Sequence, residues 1–140
     1  MRIDRALLDT SLYIAALRRP VDLRLVAGDR QLWMNAVVLK ELLAGATGHQ
    51  MRTIEVLERS FVVTKRLIVP NLDDWKATGM LLARLARKYG YEQIGGGRLT
   101  NDALIAVSSA RCGVSVVTLN GSDFVRLAEF CDFRWEMAKV

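Results

Sequence analysis

One histidine and two cysteines are all that this 140-residue chain offers of the side chains that favour soft metals and nucleophilic relays. The histidine, His49, falls in a Gly48-His49-Gln50 turn without a nucleophile motif, so it reads as a surface residue. Cys112 and Cys131 stand apart among hydrophobic neighbours and lack CxxC spacing. They read as reduced core cysteines, which argues against a zinc site or a disulfide framework. No apolar stretch approaches the ~18–20 residues that a membrane span requires. The opening Met1-Arg2-Ile3-Asp4-Arg5 runs into a short apolar segment broken by Asp9, unlike a secretory signal. Repeats and low-complexity tracts are missing too. What remains is a globular, cytoplasmic protein with no membrane segment. Its 140 residues make room for one domain, 1–140, around one core.

The chain has ample apolar material for that core, with 51% hydrophobic residues and a mean hydropathy of +0.17. Its formal charge of +5 is modest. If several acids face inward, the outer surface is more basic than the sum, which suits a polyanionic partner such as nucleic acid, or an acidic protein. The same charge also serves solubility alone.

Strand-type and helix-type segments alternate along the chain. Ala6 to Asp9 reads as a strand and Ser11 to Arg18 as a helix that stops at Pro20. Gln31 to Asn35 reads as a second strand, Val37 to Leu43 as a helix before Gly45 and Gly48, and roughly His49 to Arg59 as a third helix. Phe61-Val62-Val63-Thr64 is β-rich, and Pro70 closes that region. Asn71 or Asp73 can cap the longest helix, which runs to about Tyr89, with Trp75, Met80, Leu81 and Leu82 more often core than surface. The Gly95-Gly96-Gly97 loop precedes a helix from Asp102 to about Arg111. Val114 to Leu119 is strand-like, a short helix spans about Asp123 to Phe130, and Phe133 to Glu136 is a last strand. This alternation predicts an α/β fold, a three-layer α/β/α sandwich around a central, mostly parallel sheet of about five strands.

Against that background four acids have poor structural excuses: Asp9, Glu41, Asp102 and Asp123. Asp9 follows Ala6-Leu7-Leu8; Glu41 sits on the helical face of Val37 and Val38; Asp102 leads into Ala103-Leu104-Ile105-Ala106; Asp123 precedes Phe124. A carboxylate at the edge of a core needs a partner, because an unpaired buried charge costs several kcal/mol or neutralises. Acids scattered in sequence and converging in space commonly share a divalent metal. In open α/β sheets ligands bind beyond the carboxyl ends of the strands, where Asp9, Asn120 and Asp123 would lie. Each acid also has a plain structural use. Asp9 could cap the first helix, Glu41 could pair with Lys40, Asp102 could be a first-turn acid facing the helix dipole, and Asp123 could start its helix.

Four segments then resemble one family. Leu7-Leu8-Asp9-Thr10-Ser11, Asn35-Ala36-Val37-Val38-Leu39-Lys40-Glu41-Leu42, Asn101-Asp102-Ala103-Leu104-Ile105-Ala106 and Val117-Thr118-Leu119-Asn120-Gly121-Ser122-Asp123-Phe124 are similar, in this order, to the motifs of PIN domains. The nearest likeness is to the VapC-type ribonuclease toxins of toxin–antitoxin pairs. Singly the motifs are weak; together they span nearly the whole chain. The resemblance implies a cytoplasmic, Mg²⁺- or Mn²⁺-dependent endoribonuclease, usually a homodimer, inhibited by a cognate antitoxin and leaving a 5′-phosphate and a 3′-hydroxyl. It assigns the metal-site and catalytic role to Asp9, Glu41, Asp102 and Asp123, with the Thr10, Ser11 and Thr118 hydroxyls in support. The last motif is the loosest, so Asn120 competes with Asp123 for the fourth contact.

The chemistry matches the residue types. Phosphodiester hydrolysis needs an activated water and neutralisation of charge on the phosphoryl oxygens. Mg²⁺ takes hard oxygen ligands and keeps several waters, so carboxylates suffice without histidine or cysteine. Arg98, near Asp102 in sequence, could touch an RNA phosphate, although the adjoining glycines lack a GKS or GxGxxG continuation. The alternative is a catalytically silent PIN-like module that binds RNA or antitoxin without cutting. A receiver domain fits worse: it would want an acidic pair after the first strand, whereas only Asp9 stands there, and a lysine after the fifth.

Overall fold

Two short apolar strands carry the centre of the molecule. In β1 (Arg5–Leu8) the residues Ala6, Leu7 and Leu8 are all fully buried, and in β4 (Ser115–Thr118) so are Val116 and Thr118. A strand buried on both faces needs helices on each side, the condition of a parallel α/β sheet. In the computed structural model, which describes residues 3–94 and 97–139, five strands form one sheet in the order β3-β2-β1-β4-β5. Every neighbouring pair is parallel, with Leu7 opposite both Trp33 of β2 (Gln31–Asn35) and Val116 of β4. The edges are β3 (Leu67–Ile68) and β5 (Trp135–Met137).

Helices fill the intervals: α1 (Thr10–Arg18), α2 (Leu23–Ala27), α3 (Ala36–Ala44), α4 (Gly48–Val63), α5 (Leu72–Tyr89), α6 (Gly97–Arg111) and α7 (Ser122–Leu127). A single 3₁₀ turn, Tyr91–Ile94, precedes α6. Local signals explain most starts. Thr47 and Gln50 cap α4 reciprocally, Asn71 and Asp74 do the same for α5, and Asn35 caps α3. Arg111 reaches back to the buried Asp74 at 2.9 Å, tying the end of α6 to the start of α5. The α/β fold with five parallel strands is therefore as the sequence predicts.

Several details differ. Phe61, Val62 and Val63 are the last turn of α4 and not a strand. Phe61 is buried while Val62 and Val63 face solvent, so one helical face holds the segment and β-branched propensity yields to it. Lys65, at φ 57°, turns the chain after the helix, and Leu67–Ile68 then pairs with Met34 and Asn35. The side-chain pattern does not predict α2, which is only five residues long, too short for a periodicity to show. The helix that carries Asp102 starts at Gly97, five residues earlier than expected; Gly95 and Gly96 of the glycine loop lie outside the described residues. Trp75 and Met80 are exposed, leaving Leu81 and Leu85 as the core face of α5. Cys112 and Cys131 are free but half-buried, at the margin of the core and not within it. His49 is exposed, as expected. Among the described residues no helix is long and apolar enough to cross a membrane.

Candidate functional site

From β1 the chain steps outward to β2 and β3, then returns across β1 to β4 and β5. The order therefore reverses between β1 and β4, and their carboxyl ends diverge into a crevice at this switch point. Asp9 immediately follows β1, and Thr118 ends β4 beside it. A cavity of about 570 Å³ opens there, lined by Asp9, Thr10, Glu41, Arg98, Asp102 and Asn120 among others.

Asp9 is 6% exposed and fully engaged. One carboxylate oxygen accepts the Ser11 backbone N–H at 3.1 Å and, more closely, the Ser11 hydroxyl; the other accepts the Thr118 hydroxyl at 2.6 Å. It thus caps α1 and faces the cavity at once. Burial raises its pKa above the ordinary carboxylate value, against the pull of those hydrogen bonds. Glu41, on α3, accepts the Thr10 hydroxyl at 2.7 Å. Lys40 does not pair with it; that ammonium donates instead to Asn101 at 2.7 Å.

Asp102 lies on α6 beyond the first turn, so the helix-dipole reading of this residue does not hold. It is 9% exposed, and among the described residues no group donates a hydrogen bond to its carboxylate. Burial first, and then the charges of Asp9, Asp123 and Glu41, push its pKa up to about 8, with Arg98 opposing. Asp9, Glu41 and Asp102 take part in none of the ion pairs among the described residues. Asp123 differs. Its carboxylate accepts from Arg126 at 2.7 Å and stands 3.9 Å from Arg98. It is near enough to act on Asp102 but is absent from the lining of the cavity, whereas Asn120 lines it.

Three of the four acids singled out by sequence thus share one cavity, and the fourth lies at its margin. Among the described residues no three carboxylate, histidine or cysteine side chains close to the spacing that would enclose a metal ion. The donor set fits a hard divalent cation. It is all oxygen, its three cavity acids Asp9, Glu41 and Asp102 form no ion pair among the described residues, and Asp102 has no hydrogen-bond donor among them.

One contributor escapes prediction from sequence. Asn35, wholly buried, accepts the Val37 N–H at 3.0 Å and donates to the Ser108 hydroxyl at 2.8 Å. It locks the start of α3 to α6 and so sets Glu41 relative to Asp102. Its only sequence signal is an asparagine directly before an apolar helical run.

The fold and site define a parallel α/β protein with an acidic ligand cavity at its switch point. Residues 6–130 match the family model of the PIN domain, and the chain belongs to that family. Its fold is similar to that of a DNA-bound VapBC from Salmonella typhimurium, at 23% identity and a TM-score of 0.68, covering 97% of this chain and 98% of that one. VapBC2 from Rickettsia felis, bound to a promoter DNA fragment, matches at 22% identity and a TM-score of 0.68 over 95% and 98% of the two chains. VapBC-5 from Mycobacterium tuberculosis, a member of a family of toxin–antitoxin systems, matches at 23% and 0.61 over 97% and 98%. Comparison with curated proteins finds no match.

Proposed function

We propose that this chain, as one PIN domain, is a VapC-type toxin: a cytoplasmic, metal-dependent endoribonuclease held in check by an antitoxin and working as a homodimer. The observation that carries the reading is the convergence of Asp9, Glu41 and Asp102 on one cavity, with none of the three in an ion pair among the described residues and Arg98 the one cation in the lining. Asp9, Glu41 and Asp102, with Asp123 or Asn120 as the fourth contact, would hold Mg²⁺ or Mn²⁺. Such an ion supplies a water activated near neutral pH and positive charge against the phosphoryl oxygens.

The chain's own residues do the rest. Ser11 and Thr118 fix both oxygens of Asp9, and Thr10 fixes Glu41, so two carboxylates are oriented before any ligand arrives. Asp102, whose pKa burial and the neighbouring carboxylates push up to about 8, would have to be deprotonated to hold such an ion. Arg98 lines the cavity and Lys40 bonds to Asn101 of its lining, so both would meet the phosphates of an RNA bound there. An arginine or lysine of the antitoxin would neutralise the same carboxylates and so occupy the site in place of the ion.

Inhibitor-free protein should cleave RNA in Mg²⁺ or Mn²⁺ and stop in EDTA. Asp9→Asn should abolish cleavage while leaving RNA binding largely intact, since basic surface residues supply the affinity. Cleavage that persists in EDTA would refute the reading. RNA or antitoxin binding with no cleavage of any RNA pool would make the chain a silent binding module instead.

A further inference from the structure

A second polar pocket lies at the opposite pole of the sheet, and the acidic site makes no use of it. Three arginines meet there at the starts of strands: Arg5 opens β1, Arg30 immediately precedes the adjacent β2, and Arg134 immediately precedes β5, on the far side of β4. With Asp4 and Ser115 they line a cavity of about 150 Å³, the size of one small ionic group.

Two of the guanidiniums are held in place. Arg5 donates to the Cys112 carbonyl at 3.2 Å and lies 5.1 Å above the Trp33 ring centre. Arg30 donates to the Ala27 carbonyl at 2.9 Å and the Val26 carbonyl at 3.3 Å, and pairs with Glu136. Arg134 takes part in none of the ion pairs among the described residues. Among the described residues the carboxylates at this group are Asp4 in the lining and Glu136 on Arg30, so three arginines, two of them anchored, meet two acids. The surplus is positive, and the exposed Arg134 presents it to solvent, which suits a phosphodiester carried on a strand. Guanidinium forks anchored by backbone carbonyls suit the planar geometry of phosphate oxygens.

We propose that this pocket binds one phosphodiester of a nucleic-acid strand. The proposal goes beyond the nuclease reading, and its test needs no cleavage. In EDTA, anisotropy of a labelled single-stranded RNA should be measured for wild type, Arg134→Gln and Arg87→Gln. Arg87, exposed on α5, controls for loss of one charge elsewhere. Among the described residues the Arg134 side chain makes no hydrogen bond or ion pair, while its backbone carbonyl keeps the bond to Val116 that holds β5, so the variant should fold; a melt confirms it. Arg134→Gln should weaken binding about fivefold and lower the slope of log affinity against log salt by ~0.7, one phosphate contact. Arg87→Gln should change affinity less than twofold. Equal losses in the two variants would mean diffuse attraction and overturn the proposal. So would an RNA affinity unchanged in Arg134→Gln while inorganic phosphate, at constant ionic strength, stabilises wild type alone; the pocket would then serve a free anion.

Discussion

Replacing Asp102 by asparagine removes a charge from the acidic cavity while nearly preserving shape. In the ion-free protein its carboxyl is held at about pH 8, against 3.8 for an ordinary aspartate. The folded state therefore binds more protons than the unfolded state between those two values, and stability must fall as pH rises through that window. Four powers of ten in proton affinity correspond to a ceiling on the order of 5 kcal/mol. Water entering the open cavity and carboxylates moving apart cut this to ~2 kcal/mol. For a chain of this length that is about 6 °C in melting temperature. In EDTA the gap between wild type and Asp102→Asn should be smallest at pH 4, near the ordinary aspartate value, where the unfolded carboxyl is itself largely protonated, and should widen as pH rises. At pH 8.5 the variant should melt about 6 °C higher. With Mn²⁺ at ~100 times its Kd, wild type should gain ~2.7 kcal/mol and the variant less than half of that. Thermal melts at both pH values, each with EDTA and with Mn²⁺, decide the matter. A variant that melts lower than wild type in EDTA at pH 8.5 yet keeps the full Mn²⁺ shift would make Asp102 a structural residue.

Three further outcomes follow from other parts of the structure. If Asp102 holds the ion, its raised proton affinity means that apparent Mn²⁺ affinity should rise with pH up to about 8 and level off above; titration calorimetry giving a flat profile would contradict the assignment. Asp74→Ala removes the reciprocal cap of α5 and leaves Arg111 without its carboxylate, so it should cost ~2 kcal/mol by denaturant unfolding while the Mn²⁺ shift survives. At Gly121, in the loop after β4, an added Cβ would meet the Met137 sulfur at 2.7 Å and the Trp135 ring at 2.8 Å. Gly121→Ala should therefore cost about 1–3 kcal/mol by displacing β5, and a variant as stable as wild type would show that β5 yields freely.

Much of this protein is legible in its amino-acid sequence. Leu7-Leu8 and Val116-Val117 are apolar runs bounded by turn residues, so their strands follow from composition alone, and Asn71 announces α5 through its side chain. Asp9, Glu41 and Asp102 stand out because local patterns put charge beside apolar residues, an anomaly that needs no tertiary knowledge to notice. What local sequence does not decide is set by contacts distant along the chain. Phe61-Val62-Val63 has strand composition, yet it is helical because Phe61 packs into the core while its two valines stay outside. Asp123 looks equivalent to the other acids in sequence, but in the fold Arg98 and Arg126 engage it, one from a different helix and one a turn away. The elevated proton affinity of Asp102 likewise depends first on its burial in the fold and then on carboxylates brought from residues 9, 123 and 41. Segment identity is a local property that side-chain pattern encodes. Charge balance is a property of distances, which exist only once β1 and β4 lie side by side.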